Sequence, residues 1–174
     1  MRELETPRLL LRKFTEDDYE DLFEYVSDPK VTEYEPYKPM TEKETRDNLA
    51  WRCTTDEMIA VVLKENGKLI GNIYLGNRDF NSRELGYVFN QSYWGNGYAK
   101  EACQAVLADA FATGVHRIYA ECDPLNTGSW KLLERIGFQR EAHFKQNLYF
   151  WTDEAGSPIW KDTYVYALLD CNYF

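Results

Sequence analysis

Hydrophobic and polar residues along this chain recur in two periods, and the switch from one period to the other divides it into elements. Arg8-Leu9-Leu10-Leu11-Arg12-Lys13 carries an unbroken apolar run, which predicts a first strand buried on at least one face. Thr15 offers an N-cap with Asp18 three residues on, and Tyr19, Leu22, Phe23 and Val26 form one helical stripe that Asp28-Pro29 stops. Val31 to Met40, with Pro36 and Pro39 among tyrosines, reads as a loop. Thr41-Glu42-Lys43-Glu44 is then a capping box that opens a second helix through about Cys53. Met58 to Lys64 and Lys68 to Asn77 read as strands paired across the hairpin signal Glu65-Asn66-Gly67, with Ser82 to Asn90 as a third neighbour. Gly86 lies inside that third strand, where a glycine marks a bulge or a close backbone approach.

The clearest periodicity starts at Ala99, where Ala99, Ala102, Cys103, Val106, Leu107, Ala110 and Phe111 share one helical face until Gly114 ends the helix. A strand from Arg117 to Cys122, the turn Asp123-Pro124-Leu125, and a helix burying Trp130, Leu133 and Ile136 before Gly137 come next. Phe138 to Tyr149 and Thr163 to Leu169 are the last strands. With no repeat, linker or low-complexity tract in 174 residues, the expectation is one α+β domain over residues 1–174.

Composition narrows the class. Hydrophobic residues at 44% and charged residues at 28% are those of a soluble globular protein. No apolar run approaches the roughly 20 residues of a membrane span. The first 30 residues are studded with charge, unlike a signal peptide, so the cytoplasm is the default compartment. Cys53, Cys103, Cys122 and Cys171 are far apart and do not cluster with His116 or His143, so reduced thiols and no metal site are expected. The net charge of −9 argues against nucleic acid or an anionic membrane as partner. The acidity is concentrated early, with sixteen acidic and nine basic residues up to Glu57 against thirteen and eleven afterwards. Such an excess is either a solvated face or a rim that draws in a cation.

Gln91-Ser92-Tyr93-Trp94-Gly95-Asn96-Gly97-Tyr98-Ala99 joins a strand to a helix, where glycine and free backbone N–H groups together cradle phosphate. A dinucleotide fingerprint would need Gly or Ala where Lys100 stands, and a Walker loop would need Lys-Ser/Thr where Tyr98-Ala99 stands. The stretch resembles instead the pyrophosphate loop of the GNAT superfamily of acetyl-CoA-dependent N-acetyltransferases, in particular its ribosomal-protein-alanine branch. Ser92 departs from the Gln or Arg often found there. Asn126-Thr127-Gly128-Ser129-Trp130-Lys131-Leu132-Leu133-Glu134-Arg135-Ile136-Gly137-Phe138 resembles the superfamily's later cofactor motif.

The resemblance implies a mixed, mostly antiparallel twisted sheet of about six or seven strands with flanking helices and a splayed central pair. It implies acetyl-CoA as co-substrate without a metal, held by Val88, Phe89, Trp94, Gly95, Asn96, Gly97, Tyr98, Ala99 and Asn126. The catalytic tyrosine of many members, seven residues after the asparagine, is Leu133 here. The branch pattern places Ser129 near the thiol, with helix capping as the competing role. Glu84 shares a strand face with Gly86 and Val88 and is the candidate base. Tyr34, Tyr37 and Trp51 are candidates to line the acceptor pocket. The expected acceptor is a cationic amine: a protein N-terminus first, or a polyamine or aminoglycoside. A silent acyl-CoA-binding module is the alternative outside catalysis.

Overall fold

The computed structural model describes residues 2–173; the ends of the expected domain, Met1 and Phe174, lie outside the described residues. In chain order the elements are β1 (Leu4–Glu5), β2 (Leu9–Arg12), α1 (Tyr19–Val26), α2 (Glu42–Thr54), β3 (Met58–Leu63), β4 (Leu69–Arg78) and β5 (Ser82–Phe89). They continue with α3 (Tyr98–Ala112), β6 (Arg117–Cys122), α4 (Thr127–Arg135), β7 (Gln139–Leu148) and β8 (Lys161–Leu169). All eight strands join one sheet in the order β1-β2-β3-β4-β5-β6-β8-β7. Every neighbouring pair is antiparallel except β5 and β6, which the crossover helix α3 makes parallel.

Helices cover both faces of this sheet, which explains the apolar runs. In β3, Ile59, Val61 and Leu63 pack into the core with α3 and α4, while Met58, Ala60 and Val62 pack into the core with α1 and α2. Period-two alternation therefore sorts the strand between two cores rather than between core and water. The α1 stripe is Leu22, Tyr25 and Val26, with Phe23 half-buried and stacked on Tyr19. Tyr25 is fully buried because its hydroxyl donates to Asn72 Oδ1 at 2.9 Å. Asp18 is likewise buried and paired with Arg12. On α3, Leu107 is fully buried. Leu107→Ala should cost about 2–5 kcal/mol in denaturant unfolding, whereas exposed Gln104→Ala should stay within about 0.5 kcal/mol.

Two strand features differ from expectation. The sheet gains its eighth strand from β1, whose two residues are too few to show a period. Gly86 is not a bulge: it pairs in register with Tyr74, and a Cβ there would sit 3.5 Å from the nearest side chain. The close approach is at Gly71, where a Cβ would lie 2.6 Å from the Val88 carbonyl oxygen, and the register shift is at Val61/Val62.

What Gly86 borders is an opening. β5 and β6 pair only at Ser82↔Arg117, Arg83↔Ile118 and Glu84↔Tyr119. Beyond that point β5 runs on to Phe89 and β6 to Cys122 with no ladder between them, so the middle of the sheet splays.

Candidate active site

The splayed seam widens into a cleft of about 880 Å³. Its walls come from the ends of β5 and β6, the turn into α3, the start of α4, the loop between α1 and α2, α2 itself and the start of β8.

At one end, the turn into α3 is held firmly. Trp94 Nε1 donates to the Phe89 carbonyl at 2.7 Å, and the Ser92 N–H donates to Asn90 Oδ1 at 3.0 Å. Arg8 lies over the Tyr98 ring, donates to the Asn96 carbonyl at 3.0 Å, and is held by Glu101 at 2.7 Å. Gly95 and Gly97 have φ of 77° and 79°, and Gly97 caps α3. A Cβ at Gly95 would meet nothing within 4 Å, and one at Gly97 only Arg8 Nη2 at 3.6 Å. The glycines are thus demanded by the backbone angle, not by crowding. Open space above a helix N-terminus is what a pyrophosphate requires.

In the middle, Asn126 caps α4 by accepting the Ser129 N–H at 3.1 Å while still lining the cleft. Ser129 faces Tyr87. The Tyr87 hydroxyl is 3.0 Å from Ser129 Oγ and donates to the Ser129 carbonyl at 2.9 Å. Burial pushes the Tyr87 pKa upward, so its proton is retained at neutral pH. The same cause raises Cys122 and Cys103 to about 12, leaving both thiols protonated.

The far end is walled by Tyr34, Tyr37, Trp51, Glu35 and Arg52. Arg52 is only 4% exposed. Its Nε donates to Asn48 Oδ1 at 2.6 Å, yet its Nη1 has no hydrogen-bond partner among the described residues. Glu35 is pushed up to about 7 by burial, against the opposing charge of Arg52. Glu84 lines the closed end of the seam in an ion pair with Arg78. Burial, together with the charge of Glu84, raises the neighbouring Glu121.

Among the residues expected from sequence, Ser129, Glu84, Val88, Phe89, Trp94, Gly95, Gly97, Tyr98, Ala99, Asn126, Tyr34, Tyr37 and Trp51 all line this one cleft. Asn96 does not. Its side chain folds back on the turn, donating to the Tyr93 and Trp94 carbonyls at 3.3 and 3.1 Å. Sequence reading missed Tyr87, Glu35 and Arg52. Alternation sets Tyr87 on the face opposite Glu84, but a cleft that passes between strands takes side chains from both faces.

The model of the acetyltransferase (GNAT) domain family matches residues 8–139. The chain belongs to the GNAT acetyltransferase family. An uncharacterised N-acetyltransferase of Bacillus subtilis, YnaD, is 36% identical over 171 residues, covering 95% of each chain. The crystal structure of a GNAT-family acetyltransferase from Bacillus anthracis is 36% identical, with a TM-score of 0.88 over 97% of this chain and 99% of that one. Two Vibrio cholerae structures are of enzymes named for different acceptors. A putative ribosomal-protein-serine acetyltransferase is 25% identical, with a TM-score of 0.79 over 97% of each chain. A spermidine N-acetyltransferase in complex with CoA and spermine is 19% identical, with a TM-score of 0.80 over 97% and 99%, and shares the fold. GNAT acetyltransferases use acetyl-CoA, and this GNAT protein is an N-acetyltransferase. Among its described residues, no helix is long and apolar enough to cross a membrane.

Proposed function

We propose that this GNAT enzyme acetylates the α-amine of a peptide or protein N-terminus. In this reading the pyrophosphate of acetyl-CoA sits on the backbone of Gly95 to Ala99, the pantetheine arm follows Val88 and Phe89, and the thioester end meets Asn126 and Ser129. The acceptor enters from the side of Tyr34, Tyr37 and Trp51. The amine attacks the thioester carbonyl and the C–S bond breaks with its electron pair left on sulfur. Ser129 and Tyr87, which share a hydrogen bond, are the hydroxyls placed to return a proton to that thiolate. Glu84 is already engaged by the Arg78 guanidinium, so it is assigned to the acidic lining rather than to proton transfer.

The observation that carries the choice of acceptor is the mixed charge of the far end. The Arg52 guanidinium at the cleft wall suits a carbonyl oxygen better than a further ammonium group. A peptide terminus carries a carbonyl oxygen a few bonds from its amine; a polyamine has only donors. The ribosomal-protein acetyltransferase among the structural neighbours supports the same choice, and the spermidine enzyme marks the rival.

The chain's net charge of −9 also favours a basic terminus. Part of the early acidity is neutralised locally, since Asp21 and Glu24 hold Lys68 and Asp18 holds Arg12. The remaining field acts over distance and is screened beyond about 8 Å at physiological ionic strength. For matched Ala-starting peptides, the KM of a basic one should therefore rise with salt and that of an acidic one should not. Specificity constants equal across the set and indifferent to salt would remove the charge preference.

A further inference from the structure

We propose that Glu35 takes the proton from the acceptor amine before that amine attacks the thioester. This rests on the reading of the far end of the cleft as the acceptor site.

Glu35 stands on a loop that is fastened, not loose. Its N–H donates to the Thr32 carbonyl at 3.0 Å, Thr32 N–H to Asp28 at 3.1 Å, and Met40 N–H to Val26 at 2.9 Å, which closes the loop onto the end of α1. The loop therefore holds the Glu35 side chain at the cleft wall. Among the described residues its carboxyl makes no hydrogen bond and no ion pair, a condition it shares with the exposed Glu121 but not with three other acids of the cleft. Asp123 is held by Lys161 at 2.5 Å, Asp162 by His143 and Lys145 at 2.7 and 3.1 Å, and Glu84 by Arg78.

The groups facing Glu35 come from three elements. Arg52 on α2 opposes it with positive charge. Tyr37 on its own loop and Tyr87 on β5 both lie near enough for its negative charge to raise them. Tyr87 in turn bonds Ser129, so Glu35 is close to the same tyrosine that adjoins the thioester end.

The chemistry balances. An acceptor enters as R–NH3+ and leaves as the neutral amide, so nitrogen loses two protons. One passes to the Glu35 carboxylate and on to solvent; the other ends on the sulfur of CoA through the Tyr87–Ser129 pair. A carboxyl at about 7 is matched to this work, being partly ionised at neutral pH yet far more basic than an exposed Glu. An α-amine near pKa 8 is only about one tenth neutral at pH 7, so loss of the base should cost about tenfold there.

The test follows thiol release from acetyl-CoA with an Ala-starting basic hexapeptide across acid to alkaline pH. It is repeated with a peptide whose amine is less basic. For the parent, kcat/KM should rise along a limb near pH 7 that stays in place when the amine is changed. Glu35→Gln should lower kcat/KM about tenfold at neutral pH. Its remaining limb should move with the amine, while CoA affinity by calorimetry stays within about twofold. Glu35→Asp should restore part of the rate, and Glu84→Gln should keep the limb. A Glu35→Gln enzyme with the parent's profile and turnover overturns the proposal while leaving acetylation of the peptide intact. A parent that releases no thiol with either peptide overturns the acceptor reading and the role of Glu35 with it.

Discussion

Gly97→Val is expected to weaken CoA binding ten- to a hundredfold while leaving the folded core in place. Gly97 holds a φ of 79° as the residue that caps α3. A side chain in that region costs roughly 1–2 kcal/mol, and a β-branched one more, so the backbone will leave the conformation. The surrounding protein does not object to the added atoms, since the nearest to a Cβ is Arg8 Nη2 at 3.6 Å. The strain is therefore relieved by re-aiming the N–H groups of Gly97 to Ala99, which are the ones available to pyrophosphate. Each 1.4 kcal/mol lost there is a factor of about ten. Gly97 itself is exposed and belongs to neither core, so melting should change little. Calorimetry with CoA on the folded variant reads the result, and unchanged affinity would detach the cofactor from this turn.

Tyr87→Phe and Ser129→Ala are each expected to lower kcat about a hundredfold, the lower end of what proton transfer contributes where it is used. CoA affinity should hold within about threefold, because neither hydroxyl faces the helix N-terminus. The two groups share one hydrogen bond and, in this reading, one proton, so the double variant should be little worse than either single one. Losses that multiply would show two independent roles. Parent-like turnover in both single variants would leave thiolate departure unassisted.

These expectations draw on elements of unequal legibility. The α3 stripe could be read at sight because Ala102, Cys103, Val106, Leu107, Ala110 and Phe111 really are its buried face. The turn before it was equally plain, since only glycine accepts φ near 78° twice in three residues. Asn126 to Phe138 gave both α4 and its end at Gly137, whose φ is 101°. Strand β1 was illegible because two residues cannot display a period. Asn96 lies between the two glycines, and its place in the sequence does not reveal that its amide is spent on the turn's own carbonyls.

The far end of the cleft was only half visible. Tyr34, Tyr37 and Trp51 stood out as aromatics among prolines and polar residues, and all three line it. Glu35 and Arg52 looked like ordinary surface charge among the many in residues 33–52. Arg52 is buried and Glu35 half-buried, each without an ion-pair partner among the described residues, and both stand at the cleft only because the fold brings the α1–α2 loop and α2 to the splayed strands. No spacing along the chain records that. Glu84 shows the converse, since alternation rightly brings it to the cleft but is silent about Arg78, six residues earlier, which neutralises it.

The most direct measurement offers the enzyme acetyl-CoA with equal amounts of an Ala-starting basic peptide and spermidine, and identifies the acetylated products by mass spectrometry. The peptide should be modified at its α-amine, with kcat/KM above that for spermidine by roughly tenfold or more, because the Arg52 guanidinium at the cleft wall meets a carbonyl oxygen in one acceptor and only ammonium groups in the other. Spermidine acetylated faster than the peptide, or acetyl found on lysine side chains in place of the α-amine, would contradict the peptide-terminus reading.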